Sequence, residues 1–226
     1  MQMRKILVPT DFSDNAFQAL RYAVLLANYN GSAITIFHVF RPGLSERMDG
    51  YVRQGAEERI DELIERVHSR LEGAASVNGV VIQGEPVEAI LKQVNHRPFD
   101  LVVMGTSGES GIKGFLVGSV TLEVIRRTTR PVLAIPAPAK LSLPKQLVFA
   151  LDEQGISTTD VLAPLRQMAT AFDAKITVFH QRERETTPLV PNLLVDEALE
   201  GLPRSFHQET SETEVWQSIL QYTLEQ

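Results

Sequence analysis

Met104-Gly-Thr-Ser-Gly-Glu-Ser-Gly-Ile-Lys-Gly-Phe-Leu-Val-Gly-Ser-Val-Thr121 follows an apolar run, Leu101 to Met104, and leads into a helix-like run, Val120 to Arg127. Five glycines fall within it, and Ser119 follows the last. A strand–loop–helix junction of this kind exposes backbone N–H groups at a helix start, where phosphate binds readily. The spacing is Gly105-x2-Gly108-x9-Gly118-Ser119. It is not a Walker loop, because Lys113 precedes Gly114 and no Ser or Thr follows a Gly-Lys pair. It is not the dinucleotide fingerprint either, because no Gly-x-Gly occurs in it. Gly105 and Gly108 let the backbone approach a ligand without a Cβ in the way. Gly118-Ser119 opens the helix, with free N–H groups at Ser119 and Val120 and hydroxyls at Ser119 and Thr121. Lys113 is close enough in sequence to add charge, but it also reads as a solvated loop cation.

Upstream of this junction, strands and helices alternate. Lys5 to Pro9 reads as a buried strand, and Thr10 to Ser13 as a turn with Ser13 as helix N-cap. Ala16, Ala19, Leu20, Ala23, Val24 and Ala27 recur at helical spacing up to Asn30-Gly31. Ala33 to Val39 is β-branched and apolar on both faces, as in a strand covered by helices on each side. A surface loop is expected over 41–50, and an amphipathic helix through Ile60, Leu63, Ile64, Val67 and Leu71. Val80 to Ile82 is the third strand, Pro86 to Val94 a helix with proline in its first turn, and Asp100 to Met104 the fourth strand. Downstream, Pro131 to Pro136 is the fifth strand. This order predicts a parallel α/β sheet with right-handed crossovers.

Pro136-Ala-Pro-Ala139 reads as a linker, and the pattern then restarts. Ala33-Ile-Thr-Ile-Phe-His38 is echoed by Lys175-Ile-Thr-Val-Phe-His180, offset by 142 positions. Leu7-Val-Pro-Thr-Asp11 is echoed by Val148-Phe-Ala-Leu-Asp152, offset by 141. The helix at Val87 to Val94 has a counterpart in Val215 to Tyr222. These echoes indicate an internal duplication. The second copy stops at Gln226, where its fourth strand would begin. Its sheet would then expose an apolar edge. Three readings of this stay open: a piece of a longer chain, an edge covered by another chain, or a partly ordered half.

The chain has no cysteine, which excludes disulfides and thiolate sites. Its net charge of −6 comes entirely from residues 140–226, with 7 Lys+Arg against 13 Asp+Glu. Without a basic stripe, nucleic-acid binding is disfavoured. No signal peptide or membrane-length apolar run is present, so a cytoplasmic protein is expected. His38 and His180 read as hydrogen-bonded core residues, and Trp216 as packing on a helix face.

In open α/β sheets, ligands sit beyond the carboxyl ends of the strands, where the strand order reverses. Asp11, Val39 with Phe40, and Met104 end three such strands. Asp11 could hydrogen-bond a ribose hydroxyl or a base, or cap the first helix, and the two roles are compatible. Backbone groups at Val39 could read a base edge.

Gly-x2-Gly-x9-Gly-Ser after a Val-Met strand, Val-Pro-Thr-Asp near the start and Phe-His-Val ending the second strand together resemble the universal stress protein family. Residues 1–139 match it over their full length. Residues 140–226 are similar to its first half only, as in a tandem-domain member with the second domain incomplete. The resemblance implies an open five-stranded Rossmann-like sheet of order 3-2-1-4-5, followed by the partial copy. It implies an ATP or AMP site. Phosphate contacts would come from Gly105, Gly108, Gly118, Ser119, Val120 and Thr121. Pro9, Thr10, Asp11, Val39 and Met104 would line the nucleoside pocket. Mg²⁺ or Mn²⁺ would bridge the phosphate oxygens. A homodimer through the fifth strand, Val132, Leu133, Ala134 and Ile135, is also implied. Asp-Glu-Gln replaces the first turn in the second copy, so one nucleotide per chain is expected. The competing readings are a slow ATPase or nucleotide-processing enzyme and a nucleotide-free interaction scaffold. The first lacks the Ser-Gly-Gly-x-Asp-Ser or His-x-Gly-His motifs of related enzymes.

Overall fold

The computed structural model describes residues 3–106, 117–137, 139–151, 155–182, 193–211 and 215–224. Gly108, Lys113, Asp152 and the side chain of Trp216, all singled out above, lie outside what it describes. The chain forms two units, Met1–Ser142 and Leu143–Gln226.

The first unit begins with β1 (Lys5–Thr10), whose Ile6, Leu7 and Val8 are fully buried. Ser13 caps α1 (Asp14–Asn30) by accepting from the Ala16 N–H at 3.2 Å, and Gly31 closes it in the left-handed region. β2 (Ala33–Phe40) pairs with β1 in parallel, from Lys5 with Ala33 to Thr10 with His38. α2 (Glu46–His68), β3 (Ser76–Gln83), α3 (Pro86–His96), β4 (Leu101–Gly105), α4 (Ser119–Arg127) and β5 (Val132–Ile135) follow. The sheet is parallel throughout, in the order β3-β2-β1-β4-β5. This is the strand order that the family resemblance implies.

Two boundaries differ from the sequence reading. The 41–50 loop ends early, because Ser45 caps α2 by accepting from the Met48 N–H at 3.3 Å. Gly50 is thereby drawn into the helix, whose packing rests on Ala56, Ile60 and Val67 further along. β3 is longer than Val80 to Ile82, because its backbone pairs with β2 over the whole of 33–40. That ladder carries the polar Ser76 and Asn78, and also Gly79, into a strand that propensity alone would not extend. Gly79 has a further reason. A Cβ there would overlap Ile60 of α2, so the helix lies against bare backbone.

The second unit holds β6 (Gln146–Leu151), a 3₁₀ turn (Thr159–Leu162), α5 (Ala163–Phe172), β7 (Lys175–Arg182), α6 (Leu193–Ala198), β8 (Arg204–Thr210) and α7 (Val215–Leu224). Its parallel sheet has the order β6-β7-β8, which reproduces the β1-β2-β3 half of the first. The echoed histidines repeat one contact. His38 Nδ1 lies 2.8 Å from the Thr10 carbonyl oxygen, and His180 Nδ1 lies 2.9 Å from that of Leu151. Both are hydrogen-bonded as expected and tie a second strand to the end of a first, but they are half-buried rather than core residues.

The two units diverge at the third strand. Ile36 pairs with Gly79, and its echo Val178 pairs with Phe206. Where α2 presses on glycine in the first unit, the second carries a phenylalanine that is 60% exposed. Among the described residues the intervening helix α6 has six residues where α2 has 23. A phenylalanine at this register leaves no room for a helix packed as α2 is, and a short helix need not reach it.

Candidate functional site

β1 lies between β2 and β4, so the connections leaving its two sides run in opposite directions and open a crevice at the strands' carboxyl ends. A cavity of about 340 Å³ occupies that crevice. Pro9, Thr10, Asp11, Val39, Met104, Gly105, Gly118, Ser119, Val120 and Thr121 line it. Every predicted site residue is thus gathered there except Gly108, which lies outside the described residues. Ala16, Phe37, Pro86 and Ile90 also line the cavity and were not anticipated. Their signals were present. Phe37 shares a face of β2 with Val39 by the two-residue alternation of a strand, and Ile90 stands one helical turn from Pro86. These side chains make one wall apolar, continuous with the core formed by Leu7, Val94, Val102 and Val124.

The opposite wall is polar. α4 starts at Ser119 with Gly118 as its cap, and no side chain caps it. The Gly118 N–H donates to the Thr106 carbonyl, and the Leu122 N–H to Gly118 at 2.9 Å. Among the described residues no acceptor meets the N–H groups of Ser119, Val120 and Thr121. The positive end of the helix dipole therefore opens on the cavity. No acidic residue stands in that first turn to neutralise it.

Two predicted phosphate ligands have structural duties. Thr121 is 5% exposed, and its hydroxyl donates to the Gly105 carbonyl at 2.8 Å. It ties the start of α4 to the end of β4, and that hydroxyl is already committed. Gly105 is glycine because a Cβ would stand 2.6 Å from Asn15 Nδ2 and 2.9 Å from the Asn15 carbonyl oxygen. The first turn of α1 closes on it directly. Replacing Thr121 by valine removes the donor to this part-buried carbonyl, at a cost of about 0.5–1.5 kcal/mol. Chemical denaturation is expected to show that loss in Thr121→Val and most of it restored in Thr121→Ser.

Asp11 is exposed, and its Oδ1 accepts from the Ser13 N–H at 3.0 Å and the Ser13 hydroxyl at 2.6 Å. Ser13 in turn accepts from Ala16. Asp11 thus buttresses the helix cap, one of the two roles the sequence allowed, and also lines the cavity. Between α3 and α4, both terminal nitrogens of the Arg127 guanidinium donate to the Glu88 carboxylate, at 2.6 and 3.1 Å. This bond holds the Glu88 carboxyl below and the Arg127 guanidinium above their ordinary pKa values.

His38 lies beside this site without lining the cavity. Burial pushes its pKa down, partly opposed by the bond to the Thr10 carbonyl; the nearby Arg59 lowers it further and Asp11 raises it. In the folded protein His38 therefore takes up a proton less readily than it does in the unfolded chain. Its contribution to stability is complete above the ordinary value of 6.5 and is lost as pH falls below it. Stability of His38→Gln, followed by denaturant titration, is expected to depend less steeply on pH just below 6.5 than that of the parent.

Among the described residues no helix is long and apolar enough to cross a membrane. A family model described as the universal stress protein family matches residues 3–136. A universal stress protein of Methanocaldococcus jannaschii is 28% identical over 152 residues, covering 58% of this chain and 94% of that protein. One from Bacillus subtilis is 34% identical over 145 residues, covering 58% and 97%. The crystal structure of a universal stress protein from Archaeoglobus fulgidus superposes with a TM-score of 0.78 at 22% identity, over 100% of this chain and 84% of that one. That likeness shows a shared fold extending through both units.

Proposed function

Since this chain belongs to the universal stress protein family, we propose that its cleft binds an adenine nucleotide, ATP, ADP or AMP, and that the protein serves as a cytoplasmic, nucleotide-dependent module of the stress response. The observation that carries this reading is the uncapped start of α4 opening into the same cavity as an apolar wall and one carboxylate. The base lies against Phe37, Val39, Ile90 and Met104. Asp11 accepts from the ribose, through the oxygen that Ser13 does not use. The phosphates meet the N–H groups of Ser119, Val120 and Thr121, the Ser119 hydroxyl and the glycine loop that includes Gly108. Thr121 contributes its backbone and its tether, rather than its hydroxyl.

A divalent cation, Mg²⁺ or Mn²⁺, arrives with the phosphates and is held mainly by their oxygens. Among the described residues Asp11 is the one carboxylate lining the cavity. The second half, residues 140–226, is read as a partial copy of the same domain, with Asp152-Glu-Gln where the first has its Thr10–Ser13 turn. β5 lies at the outer edge of its sheet, with Val132, Leu133 and Ala134 partly exposed, and a homodimer forms there by strand pairing.

Calorimetric titration with ATP, ADP and AMP, with and without Mg²⁺, tests the central claim. Saturable binding at one site per chain is the expected result. No heat and no thermal shift with any of the three at millimolar concentration would sink it. A turnover assay alongside, with Gly118→Val as control, separates slow hydrolysis by this cleft from contamination.

A further inference from the structure

We propose that a second cavity, on the far side of the Thr10–Asp14 turn, binds a small molecule that carries a carboxylate or phosphate at one end and hydrogen-bond donors or positive charge at the other. The cavity measures about 220 Å³ and lies between the first turn of α1 and the middle of α2. Arg59 and Arg66, two turns apart on α2, both line it. The Arg59 guanidinium carbon stands 4.0 Å from the centre of the Phe12 ring, and that of Arg66 stands 4.1 Å from the centre of the Phe17 ring.

Stacking on an aromatic face orients a guanidinium and leaves its N–H edge open. Neither guanidinium makes a hydrogen bond or an ion pair among the described residues, whereas those of Arg41, Arg53, Arg126, Arg127 and Arg204 are all paired with carboxylates. Two preoriented, unused donor forks facing one cavity are what an oxyanion needs. The rest of the lining sets the ligand's other end. Glu62 and Asp14 also face the cavity, so it is electrically balanced rather than basic. A bare polyanion is disfavoured by those carboxylates, and a dipolar molecule satisfies both pairs.

The two cavities share a wall. Thr10 lines both, Asp11 faces the first, and Phe12, Ser13 and Asp14 face the second. Phe12 sits at φ 65°, a left-handed backbone seldom used by an aromatic residue. That conformation wedges its ring between Arg59 and His38, whose ring centroid is 4.3 Å away. A ligand that draws Arg59 toward itself therefore shifts the turn that carries Asp11. This coupling, unlike the site itself, rests on the nucleotide reading above.

Calorimetric titration of the nucleotide-free protein with phosphoethanolamine, γ-aminobutyrate and inorganic phosphate tests the site independently of any nucleotide. Saturable binding of phosphoethanolamine or γ-aminobutyrate, tighter than that of inorganic phosphate, is expected, and which of the two binds tells phosphate from carboxylate. Arg59→Gln/Arg66→Gln, checked for folding by circular dichroism, should abolish it, and Glu62→Gln should narrow the gap to inorganic phosphate. No saturable binding of any of the three at millimolar concentration, or binding unchanged in the double arginine variant, overturns the proposal. With the site filled, the ATP dissociation constant should change severalfold in the parent and not in the double variant. An unchanged ATP constant overturns the coupling, while failure of ATP to bind at all leaves the first titration to judge the site.

Discussion

Phe37→Ala is expected to lower the free energy of unfolding by about 3–5 kcal/mol and to weaken nucleotide binding at the same time. Phe37 is 1% exposed and sits on β2, beside the first strand of the sheet. It packs in one cluster with Leu7, Ile90, Val94, Val102 and Met104. The same ring forms part of the cavity wall. Removing it opens a void inside a close-packed core, and neighbours on fixed strands relax into that void only in part. Urea denaturation reads the stability and calorimetry reads the affinity. Phe37→Leu keeps most of the volume and should cost less than about 1.5 kcal/mol. A Phe37→Ala variant as stable as the parent would show that this ring is not part of the core.

Gly105→Ala is expected to damage both fold and site through a different route. The new methyl would stand 2.9 Å from the Asn15 carbonyl oxygen and 3.0 Å from its carbon, and backbone cannot swing aside as a side-chain tip can. The end of β4 and the first turn of α1 must separate. Overpacking of this kind costs about 1–3 kcal/mol. The displacement also moves Met104, and it moves the carbonyl that Thr121 holds. Nucleotide binding should therefore fall further than global stability does. Asn15→Ala in the same chain removes only the contact to Nδ2, not that to the backbone, so it should rescue little. Full rescue would point to the Asn15 side chain as the obstacle instead.

These two positions differ in how visible they were. Gly105 stood out in the sequence as part of the glycine spacing, but as room for a phosphate to approach. The packing of α1 against it was not legible, because Asn15 lies 90 positions away and only the β1–β4 pairing brings the two together. Phe37 read as one more apolar residue in a buried strand. Its place in the cavity wall follows from strand alternation with Val39, once the strand order is known. Gly79 gave no signal at all. Its meaning lies in Ile60 of a helix nineteen residues earlier, and in the Phe206 that stands at the matching register of the second unit. Arg59 and Arg66 were not singled out in the sequence, and their stacking on Phe12 and Phe17 appears only when α2 is laid beside α1.

By itself the sequence determined the alternation of strands and helices and the family to which the first half belongs. Those rest on local periodicity, on turn and cap residues, and on motifs whose members lie close in the chain. Tertiary structure alone decided which of the motif's residues face a cavity and which hold the fold together. It committed the Thr121 hydroxyl to Gly105 and spent the glycine at 105 on Asn15. The physical reason is that steric room and hydrogen-bond partners belong to pairs of residues. A chain read in order shows the members of such a pair one at a time, and only the sheet register and the helix packing bring them into contact.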